Sequence, residues 1–277
     1  MKTLLLNTLI VFILFLATLS NIKYKRITGH LDIFLYSCVK QFNKSKINKI
    51  MEKKTDNIKL PVFKVINDSE IPKIIHQTHK DINLIPKYYI ENLKKLNKGW
   101  KYNFHDNKKS REFLSKFYGE SFVKKFDSLN QGPHKADLWR LCVLYKTGGC
   151  YIDADIEMKI SFDEIIKNSS DNLIIPCSKM INCKERLFNA LIICKPMDER
   201  IRECIKKIML VENRDLESFY HLNLEIMGEI LKNKIEYSIY EEYLPKNNIN
   251  ILLSPKDCYI VSEDKKILAK SKRNDFI

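Results

Sequence analysis

Two aspartates one position apart, Asp153-Ala154-Asp155, directly follow a short apolar run, Cys150-Tyr151-Ile152, which itself follows the glycine pair Gly148-Gly149. Side chains alternate faces along a strand, so carboxylates at i and i+2 at a strand end can share one side. Such a pair is a hard-oxygen site for Mg2+ or Mn2+ and leaves coordination positions for phosphate oxygens. The cation would then neutralise charge developing on a departing diphosphate. The triplet alone is weak, because a chain this rich in Asp offers one about once by chance, and its plain reading is a solvated turn. Context strengthens it.

The preceding segment has the signals of a helix over about Pro133 to Thr147, with Pro at its start and the two glycines at its end. Leu138, Leu141, Cys142 and Tyr145 fall at i, i+3, i+4 and i+7 and form a buried stripe. Asp137 and Arg140, three apart, share another face. Their plain reading is a surface ion pair. Further upstream, Pro72 precedes a strand-like run ending in His76-Gln77-Thr78, and Pro86 opens a helix to about Asn97. Alternation from Trp100 to Phe104 gives a second strand, and Lys108 to Leu129 reads as one amphipathic helix. Downstream, strands are expected at Leu173 to Pro176, Ala190 to Cys194 and Ile249 to Leu253. Helices are expected at Asp198 to Leu210 and Leu216 to Lys232, and the chain closes in a charged tail. Strands alternating with helices imply an α/β layer fold, and His76, Gln77 and Thr78 stand where such a sheet meets a nucleotide.

The N-terminus is of another kind. Residues 3–22 carry no charge and are followed by Lys23, Lys25 and Arg26, the pattern of a signal anchor or transmembrane helix over residues 1–22. A cleaved secretory signal, ending at Thr18-Leu19-Ser20, is the alternative. A single-pass protein of Golgi or ER type with a lumenal catalytic region fits this start, although the basic residues after the run would by themselves favour the opposite orientation. The formal net charge is +14, and residues 21–60 hold ten Lys or Arg against three acids. Half the excess therefore sits in residues 21–60, within the stretch read as a basic stem over residues 23–70 and suited to anionic head groups or to solvent. No helix-turn-helix or RNA-binding signature accompanies the charge, which argues against nucleic acid. The eight cysteines show no Cys-x-x-Cys spacing, so a zinc module is not indicated.

The motifs, taken in order, resemble a known family. Ile71-Pro72-Lys73-Ile74-Ile75-His76-Gln77, then Gly99-Trp100 with Tyr102 and Asp106, then Lys135-Ala136-Asp137 with Arg140, and finally Gly148-Gly149-Cys150-Tyr151-Ile152-Asp153-Ala154-Asp155, are similar to the DXD-containing sugar-transferase family of Golgi α-1,6-mannosyltransferases and inositol-phosphoceramide mannosyltransferases. The resemblance implies a GT-A-type, Rossmann-like nucleotide-diphospho-sugar fold over residues 71–277. It also implies Mn2+ or Mg2+ held by Asp153 and Asp155, and transfer with retention of configuration. Asp137, Arg140, Asp153 and Asp155 would be the catalytic set, with donor contacts from His76, Gln77, Thr78, Asp137, Arg140 and Tyr151. The donor would be a UDP- or GDP-sugar giving up a hexose or N-acetylhexosamine, and the acceptor a glycan, glycolipid or protein. Departures are His79 where a tryptophan is common, Met227-Gly228-Glu229 in place of a Thr-Gly-Pro turn, and no His-x-x-x-Trp element near the C-terminus. A metal-dependent phosphohydrolase or nucleotidyltransferase, or a non-catalytic glycan- or lipid-binding membrane protein, would use the same residues.

Overall fold

The computed structural model describes residues 44–65, 70–178, 187–235, 239–245 and 256–271. The expected anchor, the first part of the basic stem and the expected strand at Ile249 to Leu253 lie outside the described residues. Among the described residues no helix is long and apolar enough to cross a membrane. The chain divides into two units, Met1–Ser45 and Lys46–Ile277, and the second holds the elements below.

In chain order these are β1 (Ile74–Thr78), α1 (Lys87–Leu96), β2 (Lys101–His105), α2 (Asn107–Tyr118), α3 (Glu120–Ser128), α4 (Gly132–Thr147), β3 (Gly149–Ile152), β4 (Ile156–Met158), α5 (Phe162–Lys167), β5 (Leu173–Ile174), β6 (Cys177–Ser178), β7 (Leu191–Cys194), α6 (Glu199–Ile208), α7 (Asn213–Ser218), α8 (Leu222–Leu231), β8 (Ile239–Pro245), β9 (Lys256–Ser262) and β10 (Ile267–Ser271). The fold is mixed α/β. One sheet has the order β2-β1-β3-β7-β5 and the other β4-β10-β9-β8-β6. In the first, β1 runs parallel to both β2 and β3, while β7 is antiparallel to β3 and β5. The strand–helix–strand alternation expected from sequence is therefore present at β1-α1-β2, and the sheet is mixed beyond β3.

Strand alternation divides the core. Tyr151, Ile192 and Cys194 pack with α4, α6 and α8 on one face, while Cys150, Ile152, Leu191 and Ile193 pack on the other. Helix α4 is buried around its whole girth from Leu138 to Tyr145, Arg140 included. The expected single stripe is thus too narrow, because α2, α3 and α6 cover the sides away from the sheet. The helix expected over Lys108 to Leu129 breaks at Gly119, whose φ of 84° lets it end α2 and begin α3. The helix expected over Leu216 to Lys232 is likewise two, α7 and α8. Met227 and Gly228, read as the counterpart of a turn, are buried inside α8.

Part of the segment read as stem packs on this body. Ile50 is buried, and the Phe63 ring meets Phe117, Tyr118 and Tyr145 edge-on at 5.6–6.4 Å. Lys207 Nζ donates to the carbonyls of Met51 and Lys53 at 2.5 and 2.8 Å, closing the helical stretch that ends at Glu52. The charged tail is also structured: β9 and β10 form a hairpin with Ile260, Val261, Leu268 and Ala269 buried.

Candidate active site

The site grows from the turn that joins α4 to β3. Gly148 and Gly149 have φ of 62° and 97°, and a Cβ on Gly149 would stand 2.4 Å from the carbonyl oxygen of Ile74. Only glycine fits such a close approach of β3 to β1. The turn sets the strand phase, so Tyr151 and the residue two further on, Asp153, face α4. Beyond the strand's last residue the chain stays tied to β7 through Asp153 N–H donating to Ala190 O at 2.8 Å. The two aspartates and the helix face with Asp137 and Arg140 then converge.

Arg140 is the centre of the convergence. Its Nη2 lies 3.4 Å from Oδ1 of Asp137 and 3.4 Å from Oδ1 of Asp153. Its Nη1 donates to Asn189 O at 2.6 Å and its Nε to Ala136 O at 3.2 Å, while the guanidinium lies 4.4 Å from the Tyr151 ring centroid. Burial works to discharge it, but Asp153, Tyr151, Asp137 and Asp155 outweigh burial and hold its pKa above the ordinary value. The pair is therefore buried rather than the surface i, i+3 pair its spacing alone suggests.

Asp137 also accepts hydrogen bonds from Asn189 Nδ2 at 2.9 Å and Asn223 Nδ2 at 3.2 Å. Burial raises its carboxyl above the usual range, against the pull of Arg140, Asn223, His134 and Asn189. Tyr151 donates its hydroxyl to Oδ1 of Asp153 at 2.5 Å, and burial keeps the phenol protonated against the influence of Arg140. Tyr151 and Arg140 thus both hold Oδ1 of Asp153, its side chain is 32% exposed, and Oδ2 takes no hydrogen bond or ion pair among the described residues.

A cavity of about 390 Å3 opens over this cluster, within the size range of ligand sites. Its wall includes Thr78 at the end of β1 with His79 and Lys80 beyond it, Ser110 of α2, Trp139 and Arg140 of α4, and Tyr151, Asp153 and Asp155. Thr78 thus borders the cavity and donates its hydroxyl to His105 O at 2.7 Å. His76 and Gln77 do not border it. The His76 ring is buried, its Nε2 lies 3.2 Å from Gly148 O and 3.0 Å from the Thr147 hydroxyl, and burial lowers its pKa to about 3. Gln77 donates to Asp153 O at 3.3 Å and accepts from the Tyr102 hydroxyl at 2.7 Å, which ties β1 and β2 to the aspartate. Asp137 lies behind the wall, in contact with Arg140.

Sequence reasoning missed four contributors. Asn223 is 86 residues from its partner Asp137, and no local pattern marks it. Asn189 carries a signal only as the first residue of the Asn-Ala-Leu-Ile run before β7. Trp139 and Ser110 border the cavity with Nε1 and Oγ buried and without a hydrogen-bond partner, which makes them candidates for polar contact with a ligand.

Two carboxylates with one oxygen unengaged suit a hard cation that completes its shell from diphosphate and water. A closed protein cage is a different matter: among the described residues no group of three or more His, Cys, Asp or Glu could hold a metal ion.

The same region carries the likeness to known proteins. Residues 85–171 match the family described as glycosyltransferase sugar-binding region containing DXD motif. Inositol phosphoceramide mannosyltransferase 3 of Schizosaccharomyces pombe is 34% identical over 99 residues, 35% of this chain and 27% of that protein. Inositol phosphoceramide mannosyltransferase 1 of the same yeast is 28% identical over 127 residues, 44% of this chain and 39% of that protein. Among solved structures, PaToxG Glycosyltransferase is 16% identical, with a TM-score of 0.44 over 72% of this chain and 78% of that one. The chain's matches span about a quarter to two fifths of the length of these curated relatives. Asp137, Arg140, Asp153 and Asp155 all lie inside residues 85–171, the part of the chain that is similar to the glycosyltransferase sugar-binding region containing the DXD motif.

Proposed function

We propose that the chain is a glycosyltransferase that moves a hexosyl group from a UDP- or GDP-sugar onto a hydroxyl of a glycan, glycolipid or protein acceptor, with retention of configuration. The observation that carries this reading is the buried Asp137–Arg140–Asp153 cluster at the edge of a cavity that Asp155 also borders. The family match over residues 85–171 supports it, as does the mixed sheet with β1, β2 and β3 parallel, which suits a GT-A-type nucleotide-sugar fold. The relatives' names point to mannose as the sugar and a phosphoinositol lipid as the acceptor.

Asp153 and Asp155 would hold Mn2+ or Mg2+. When bound, the cation supplies neutralising charge to the diphosphate leaving group. The chain's own residues do the positioning. Arg140 and Tyr151 hold one oxygen of Asp153 and leave the other for the cation. Gln77 fixes the Asp153 backbone from the neighbouring strand. Arg140 stays cationic at every working pH and adds positive charge near the diphosphate, where electrostatic preorganisation acts most strongly in a water-poor site. Asp137, fixed by two asparagine amides behind the cavity wall, holds Arg140, and Arg140 at the wall would orient the sugar so that the acceptor hydroxyl approaches from the leaving-group side. The uncharged segment 3–22 would keep the enzyme near acceptors in a membrane.

The test is a screen of UDP- and GDP-sugars with the full chain, with Mn2+ and with chelator, for wild type and Asp155→Ala. Metal-dependent release of nucleoside diphosphate, lost in the variant and increased by a phosphoinositol lipid, is the expected result. Release unchanged by the substitution would remove Asp155 from the site, and nucleotide turnover indifferent to every acceptor would mark a hydrolase.

A further inference from the structure

Beside the cavity, the connection from β1 to α1 makes a protruding lip. Asp81 caps a 3-10 turn, Ile82–Leu84, by accepting from Asn83 N–H at 2.9 Å. The turn points apolar side chains outward: Ile82 is 39% exposed, Leu84 51% and the adjoining Tyr88 58%. These are three of the six large exposed hydrophobics among the described residues, and they fall within seven positions. Isolated apolar residues on a surface are ordinary, but a contiguous cluster marks an interaction site.

Basic residues flank the lip. Lys80 precedes the Ile82–Leu84 turn and Lys87 follows it, against Asp81. Both lysines are exposed, and Lys80 also borders the cavity. Aliphatic and aromatic side chains at the tip of a turn, flanked by lysines, are the composition that inserts at the head-group boundary of an anionic leaflet.

The lip is fastened to the chemistry behind it. Ile85 and Tyr89 are buried in one small cluster with Ala154, the residue between the two aspartates, and Phe104 packs against it. Tyr88 donates its hydroxyl to Oε1 of Glu157 at 2.9 Å, just beyond the same loop. What the turn touches therefore bears on the position of Asp153 and Asp155.

We propose that the Ile82–Leu84 turn with Tyr88 and the flanking lysines is a contact surface for an anionic lipid bilayer. It lays the cavity mouth against the membrane and braces the Asp153–Asp155 loop through Ala154. The bilayer contact stands on the lip's own residues. Its use in presenting a lipid acceptor rests on the transferase reading above.

The test reads membrane contact without any donor or acceptor. The full chain is placed in vesicles with brominated acyl chains, with and without phosphatidylserine, and tryptophan fluorescence is compared between wild type and Leu84→Trp. Wild type carries the apolar segment 3–22 in both cases, and its two tryptophans, Trp100 and Trp139, are buried, so they give the baseline. Expected is an extra loss of fluorescence in the variant on phosphatidylserine vesicles. It should be absent on neutral vesicles and reversed near 1 M salt, where the Debye length is about 3 Å. A parallel reading on the unmodified chain is hydrogen exchange, with slowing of residues 79–90 on anionic vesicles alone. No extra quenching with unchanged exchange, or equal effects on neutral and anionic lipid, overturns the proposal. Protection of the lip only on adding another protein would overturn it too, by assigning the surface to that protein. Failure here leaves the transferase test standing, and failure of the transferase test leaves this contact standing.

Discussion

His76 sits at the junction of β1, α4 and the glycine turn, and its titration gives a direct measurement of how that junction is built. Its ring is buried with Nδ1 unpartnered, while Nε2 faces the carbonyl of Gly148 and the Thr147 hydroxyl. Burial lowers its pKa from 6.5 to about 3, with His105 and Lys101 adding to the effect and the Gly148 carbonyl opposing it. The unfolded chain therefore binds a proton that the fold refuses. Stability from this group is fully present above pH 6.5 and is lost as the pH falls toward 3. Each unit is worth roughly 1.36 kcal/mol, so between pH 7 and pH 5 the loss is about 2 kcal/mol. In His76→Gln the amide still donates to Gly148 O but takes up no proton. Urea unfolding of both proteins at pH 7 and pH 5, followed by circular dichroism, isolates the effect because every other titrating group is common to the pair. The stability advantage of wild type over the variant should shrink by about 2 kcal/mol at the lower pH. A difference that stays constant would mean that the histidine titrates normally and that its burial is misjudged.

Arg140→Met leaves Asp137 and Asp153 without their shared cation, so it should cost about 3–5 kcal/mol and lower the urea midpoint by about 1–2 M, and adding Asp137→Asn should recover part of the loss. A loss below about 1 kcal/mol would show that the cluster is solvated. Gly149→Ala forces a Cβ to 2.4 Å from Ile74 O at a φ of 97°, so its melting temperature should fall by about 4–8 °C or more, whereas Gly132→Ala, with nothing within 4 Å, should stay close to wild type. Equal melting temperatures for the two would sink the close-approach argument. Asn223→Ala removes one of the two amides on Asp137 and should cost about 1.5–3 kcal/mol in thermal unfolding; no change would mean that the α8 contact contributes nothing.

Much of the site was legible because its parts lie close in sequence. Pro133 and the glycine pair mark both ends of α4, and the strand period from Tyr151 to Asp153 places the aspartate on the helix side. What was not legible depends on what covers an element. Asp137 and Arg140 have the spacing of a surface pair, and only the approach of Asn189, the end of β3 and Asn223 of α8 turns them into buried charges. Gly119 looks like one more residue in an amphipathic run until its positive φ breaks the helix. The C-terminal segment reads as a charged tail because Glu263, Asp264, Lys265 and Lys266 dominate it, yet those four occupy the tip of the β9–β10 hairpin, where Lys265 takes a φ of 69°. The apolar pairs on either side, Ile260-Val261 and Leu268-Ala269, are short, and their burial comes from pairing across sheets that no local pattern encodes.

The charges around Arg140 make poor sense as a stability device. Desolvating an arginine and two aspartates costs several kcal/mol per ion, and well-packed apolar residues of similar volume often serve as well or better. Within the cluster Asp137, Asp153 and Asp155 outnumber Arg140, while Lys80 and Lys135 also line the cavity. A divalent cation would meet the oxygen of Asp153 that neither Arg140 nor Tyr151 engages. With that cation in place, Arg140, Lys80 and Lys135 would leave the cavity receptive to a diphosphate. The cluster is intelligible as one half of a site whose other half arrives with the ligand.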